Sequence, residues 1–180
     1  MTRPATAKHS PTLAFKGIHL LLLVCSWLAT PYALAQTDES KQPIEISADS
    51  LISNEKSGLS TYRGNVVVKQ GKITLNGDTV TVHHPDGELT TVKASGNPAR
   101  FKRYDEKAQS WMTGEAQQID YDAVKQTLIM TGQAKAEQPG KHLITGPKLV
   151  YDMQQQTLQA NSTAEEKQRI SVTLNPASKE

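Results

Sequence analysis

Four times along this chain, two short alternating apolar stretches are separated by a corner of small or turn-forming residues, and that recurrence limits the fold more than any other property of the sequence. The corners stand at Ala48-Asp49, Gly77-Asp78, Gly114-Glu115 and Gly146-Pro147, at steps of 29, 37 and 32 residues. An apolar residue lies two positions before each corner: Ile46, Leu75, Met112 and Ile144. Three units then reach a second glycine, Gly64, Gly96 or Gly132, followed by another short alternating stretch. A unit of about thirty residues with one apolar face cannot bury that face alone, so its copies must stack. The repeat predicts one elongated β structure with its function spread along the stack.

Alternation fixes which side chains share a face. Ile44 with Ile46, Val66 with Val68, Ile73 with Leu75, and Val80 with Val82 are each separated by one residue, as are Ala99 with Phe101, Ile119 with Tyr121, Leu128 with Met130, and Leu149 with Tyr151. Successive strand side chains point to opposite sides, so each pair lies on one face. Turns are marked by Gln70-Gly71-Lys72, by Pro85-Asp86-Gly87, by the polar stretch 104–109 and by Gln138-Pro139-Gly140. These intervals predict strands of about four to six residues. No stretch shows a helical stripe, and the fold class is all-β. Large side chains are scarce: beyond residue 35 the aromatics are Phe101, Trp111 and the tyrosines at 62, 104, 121 and 151. Small inner residues are compatible with an incompletely filled trough or with a closed sandwich.

The N-terminus reads as a targeting segment. Arg3, Lys8 and Lys16 precede the apolar run from Ile18 to Ala29, and Ala33-Leu34-Ala35 precedes a polar stretch. This is the layout of a cleaved secretory signal, and the run is too short for the ~20 residues of a spanning helix. Cleavage is expected after Ala35, leaving a single domain over residues 36–176 and a polar tail at 177–180. The one cysteine, Cys25, would leave with the signal, so no disulfide is available. The formal charge of +2 belongs to the signal, because 17 basic and 18 acidic residues remain after it. A chain without a basic excess is poorly suited to nucleic acid.

Beyond spacing, the residues carry a resemblance. Gln42-Pro43-Ile44, Gly64-Asn65-Val66 with Gln70-Gly71, Gly77-Asp78, and Gly96-Asn97-Pro98-Ala99 with Phe101 resemble the OstA-like family of periplasmic lipopolysaccharide-transport bridge proteins. So do residues 114–121, 128–134, Ile144-Thr145-Gly146 with Tyr151, and 169–176, so that the likeness covers the chain beyond the signal. It implies an open, twisted antiparallel β-jelly roll of stacked short strands that carries lipopolysaccharide between the two membranes, acyl chains inside and sugars outside, without catalysis or cofactor. The residues expected along the lipid path are Ile44, Ile46, Val66, Val68, Ile73, Leu75, Val80, Val82, Phe101, Ile119, Tyr121, Leu128, Met130, Ile144, Leu149 and Tyr151. An open roll leaves unpaired edges that invite another chain. The candidate edges are Ile44, Glu45, Ile46, Ser47 and Ala48 at one end, and Ile170, Ser171, Val172, Thr173 and Leu174 at the other. The resemblance implies that the first meets the inner-membrane partner LptC, that the second meets the N-terminal domain of outer-membrane LptD, and that copies stack head to tail.

Other chemistry finds little support. His83 and His84 are adjacent, so as strand neighbours they point apart and make an awkward chelate. Asp49, Asp78, Asp120 and Asp122 recur near corners and strand ends, where turn capping is the favoured role. No hydroxyl sits in a nucleophile elbow, and no phosphate-binding loop is present to supply energy. Asn161-Ser162-Thr163 matches a glycosylation acceptor only as a short pattern. Lys69, Lys72, Lys93, Arg100, Lys102 and Arg103 are candidates for a basic rim, with a solvated outer face as the alternative. Two further readings compete with lipid carriage: a structural β scaffold, and a binder of or enzyme on cell-surface polysaccharide.

Overall fold

The computed structural model describes residues 41–106, 108–162 and 168–175, so the predicted signal and the polar tail lie outside the described residues. The described chain forms one antiparallel sheet of ten strands. In chain order they are β1 (Ile44–Ser47), β2 (Ser50–Asn54), β3 (Leu59–Gln70), β4 (Ile73–His83), β5 (Thr91–Asp105), β6 (Ser110–Asp122), β7 (Thr127–Gln138), β8 (His142–Asp152), β9 (Thr157–Asn161) and β10 (Ser171–Leu174). The sheet runs β1-β3-β4-β5-β6-β7-β8-β10, with β2 beside β3 and β9 beside β8.

Ala48-Asp49 separates β1 from β2, but the other three corners do not end strands, as their spacing suggested. The six central strands are 11 to 15 residues long, and each passes straight through its corner. Pairing slips at 63/66 in β3, 76/79 in β4, 95/99 in β5, 115/118 in β6 and 131/134 in β7. A bulge inserts unmatched residues and bends a strand without breaking its ladder, so a row of bulges folds the sheet along a seam. The two sets of glycines are therefore one feature, seen on alternate strands. At Gly64-Asn65 and Gly132-Gln133 both residues take positive φ, between 48° and 81°. In β6 the slip falls beside Gln117, and Gly114 lies before it on the inner face.

The seam divides each central strand between two layers. The first layer holds β2, residues 59–63, 79–83, 91–95, 118–122, 127–131 and 148–152, and β9; the second holds β1, residues 66–70, 73–76, 99–105, 110–115, 134–138 and 142–146, and β10. Their inner faces pack together: a Cβ built on Gly114 would stand 2.6 Å from the sulfur of Met130 in the opposite layer. Near the seam the contact is with the adjacent strand, but at the far ends Arg103 of β5 reaches Tyr151 of β8, three strands away. Layers that diverge from a common seam in this way leave one end of each uncovered. β2 and β10 accordingly have every residue exposed.

Candidate functional site

All sixteen positions proposed along the lipid path belong to one apolar interior. Thirteen are buried in a single cluster, and Ile44, Ile46 and Ile144 are partly buried against it. The proposed lipid path did not include Val92, Met112 or Met153, which join the same cluster. Val92 was legible, because Val92 and Ala94 alternate with Lys93; Met153 was not, because it follows Asp152 into a turn where strand period carries no information.

The small inner residues do not leave an open trough. Ala94, Ala99, Ala116, Ala134 and Ala136 are each at most 1% exposed. Small side chains bring the layers closer instead of holding a gap, as the Met130 sulfur over Gly114 shows. Among the described residues a cavity of about 10 Å³ is lined by Ile44, Val68, Leu75 and Phe101 on one layer and by Val92, Tyr121 and Leu128 on the other. That is about the space of one water, far below the ~300 Å³ at which ligand pockets begin. Occupation by anything larger requires the layers to part.

Polar groups mark the side opposite the seam. The guanidinium of Arg103 donates to the Tyr151 hydroxyl at 3.4 Å, and the Gln156 amide donates to the Asp105 carboxylate at 3.3 Å. Each bond joins one layer to the other. Burial raises the pKa of Tyr151 above its usual value; the neighbouring Asp105 and Asp152 charges act in the same direction, while Arg103 opposes the shift. Arg103 therefore does not belong to an outer basic rim, since it shares the inner parity of Phe101.

The remaining cations of that group lie outside. Lys93 pairs with Asp120 at 3.6 Å, Arg100 with Glu115 at 3.2 Å, and Lys72 with Glu106. Lys102 lies 4.1 Å over the Trp111 ring. The two histidines point to different hydroxyls, His83 to Thr90 at 3.0 Å and His84 to Ser60 at 2.7 Å. Of the aspartates, Asp122 caps a turn by accepting the Lys125 amide at 2.8 Å, and Asp49 accepts from Asn65 across the seam at 3.0 Å. Gln118 donates to Asp120, and Asp152 and Asp105 also cap turns. Asn161 of the acceptor pattern is the last residue of β9, whereas Thr163 lies outside the described residues.

The predicted edges are edges, and each is double. β1 pairs with one half of β3 while β2 pairs with the other; β10 and β9 divide β8 in the same manner. Ala48 and Ile170 lie just outside the strands to which they were assigned. On the uncovered inner face, Val172 stands opposite Ile144 and is 53% exposed, Leu174 is 72% exposed, and at the other end Leu51 opposite Tyr62 is 53% exposed. Among the described residues, no helix is long and apolar enough to cross a membrane.

Known proteins share this arrangement. The family model described as LptA/(LptD N-terminal domain) LPS transport protein matches residues 45–157. The lipopolysaccharide export system protein LptH of Pseudomonas aeruginosa is 31% identical over 158 residues, covering 84% of this chain and 90% of LptH. The export system protein LptA of Escherichia coli K12 is 32% identical over 160 residues, covering 87% of this chain and 84% of LptA. The crystal structure of LptH, described as the periplasmic component of a lipopolysaccharide transport device, superposes with a TM-score of 0.71 at 30% identity, covering 77% of this chain and 99% of that one.

Proposed function

Because the chain belongs to the LptA/(LptD N-terminal domain) family of LPS transport proteins, we propose that it binds lipopolysaccharide in the periplasm and hands it along a protein bridge toward the outer membrane. The observation that carries this reading is the continuity of the interior. One apolar cluster spans both layers, and the same inner faces continue to uncovered apolar strands at either end.

The physical task is to keep acyl chains out of water. Burying one CH₂ is worth ~0.8 kcal/mol, so a chain of about a dozen carbons gains on the order of 10 kcal/mol from a dry slot. That gain is large enough to offset separation of the two layers, whose cross-layer contacts are released and then replaced by contacts with the lipid. The polar bonds opposite the seam, Arg103 to Tyr151 and Gln156 to Asp105, would open when the layers part. The protein performs no chemistry on its cargo in this account. Residues 1–35 act as a cleaved export signal.

The edges supply the handover. β1 with β2 would receive the inner-membrane partner LptC, β9 with β10 would receive the N-terminal domain of LptD, and the same two edges would join copies head to tail. Edge strands template pairing, and an apolar face exposed beside them supplies the driving force. Depletion of this protein in its own host tests the proposal. Lipopolysaccharide should accumulate at the inner membrane and disappear from newly made surface; unchanged surface lipopolysaccharide after full depletion would refute it.

A further inference from the structure

We propose that Asp49 sets the angle between β1 and β2, so that this end of the roll presents a preformed docking edge to a partner edge built in the same two layers. The inference deepens the handover reading and rests on it. Ser47 pairs with Val67 and Ser50 with Arg63, which leaves Ala48-Asp49 opposite Gly64-Asn65-Val66 at the seam. Inside the sheet, Ala116-Gln117 of β6 lies opposite Gly132-Gln133-Ala134 of β7 in the same two-against-three arrangement. The likeness extends to the side chains: a Cβ on Gly64 would run into the Asp49 carboxylate, and one on Gly132 into the Gln117 amide. β1 and β2 are therefore the two halves of one strand bent at the seam, with Asp49 at the bend.

What differs is the support. β6 has β5 on one side and β7 on the other, whereas β1 and β2 have only β3 among the described residues. Asp49 supplies the missing constraint. Its N–H is shared between the carbonyls of Arg63 and Gly64, at 3.1 Å each, and its carboxylate accepts from the Asn65 side chain at 3.0 Å. That carboxylate bond reaches a residue 16 positions on, in another strand, whereas Asp105, Asp122 and Asp152 accept from amides two or three positions ahead. Asp49 is thus no local turn cap. A partner that pairs with both halves at once gains from the two contacts only if their relative geometry matches its own. Half-strands of four and five residues that turned independently would lose that freedom on docking and weaken the contact; a fixed bend avoids the loss.

The test uses the full chain, expressed and exported in a Cys25→Ser background. Spin labels on cysteines at Glu45 and Ile52, exposed on β1 and β2, report the bend by pulsed dipolar spectroscopy in dilute protein. Labels at Lys93 and Lys102, on either side of the seam in β5, are the control. Asp49→Ala should broaden the distance distribution between 45 and 52 and leave that between 93 and 102 unchanged. Asp49→Asn, which keeps an acceptor for Asn65, should restore the narrow distribution. In sedimentation velocity of the unlabelled proteins, Asp49→Ala should weaken self-association about fivefold, with Asp49→Asn and the turn-cap variant Asp122→Ala matching the unsubstituted protein. An unchanged distribution between 45 and 52 in Asp49→Ala, or equal weakening by Asp122→Ala, would overturn the proposal. Absence of self-association in the unsubstituted protein would also overturn it. Lipopolysaccharide adducts at a photoreactive group on Tyr121 would in that case leave transport standing, and their loss as well would remove both readings.

Discussion

Tyr151 is a phenol at the polar margin of an apolar interior, and its environment sets a pH limit on the fold. Burial disfavours the phenolate, with a smaller opposing effect from Arg103. The folded pKa is thus above the unfolded value near 10, so the unfolded chain releases its proton first. The contribution of this group is fully present below about pH 10 and is lost as pH rises through the folded pKa. Urea denaturation at stepped alkaline pH should show that decline, and Tyr151→Phe should reduce it. Gly64 gives a second prediction: its φ is +81°, and a Cβ there would run into the Asp49 carboxylate. Gly64→Ala should cost about 1–2 kcal/mol, from the left-handed strain alone, read as a lower urea midpoint. At this scale Gly64-Asn65 was legible, since both residue types tolerate positive φ. Gln133, which adopts the same conformation after Gly132, carries no such signal.

The elements were readable as strands from their period, but their lengths were not. A glycine corner looks the same in sequence whether it ends a strand or bulges it, and only the pairing partners decide. The two-part edges were hidden for a related reason. β2 is exposed on both sides, so Leu51 and Ile52 on its opposite faces give no contrast from which to read a face. β10 allows a direct test of the handover. Val172 is 53% exposed on the strand that ends the sheet among the described residues, so Val172→Glu should change stability by less than about 0.5 kcal/mol. The same change should abolish concentration-dependent growth in sedimentation velocity, because a buried unpaired charge is costly at an interface. Growth that persists in a variant with an unchanged melt would remove β10 from the contact.

Across the whole molecule, alternation identified the apolar interior but left open whether it is a trough or a closed sandwich. Alternation shows that Phe101, Tyr121 and Leu128 share an apolar interior; it does not show how far apart the two layers stand. That separation depends on Gly114 and the inner alanines, which bring the layers together so that the cavity beside Phe101, Tyr121 and Leu128 holds only about 10 Å³. Lipid carriage therefore requires opening, and restraining the free sides should block it. Cysteines at Asp105 and Gln156, in a Cys25→Ser background and joined by a short thiol crosslinker, should prevent lipopolysaccharide loading while leaving the fold intact; reversal of the crosslink should restore it. The most direct measurement is photocrosslinking to lipopolysaccharide with the probe placed at Ile46, at Tyr121 or at Val67, which faces away from the interior. Adducts at Ile46 and Tyr121 but not at Val67 are the predicted result. Equal labelling at all three, or none in a folded protein, would contradict an interior lipid path.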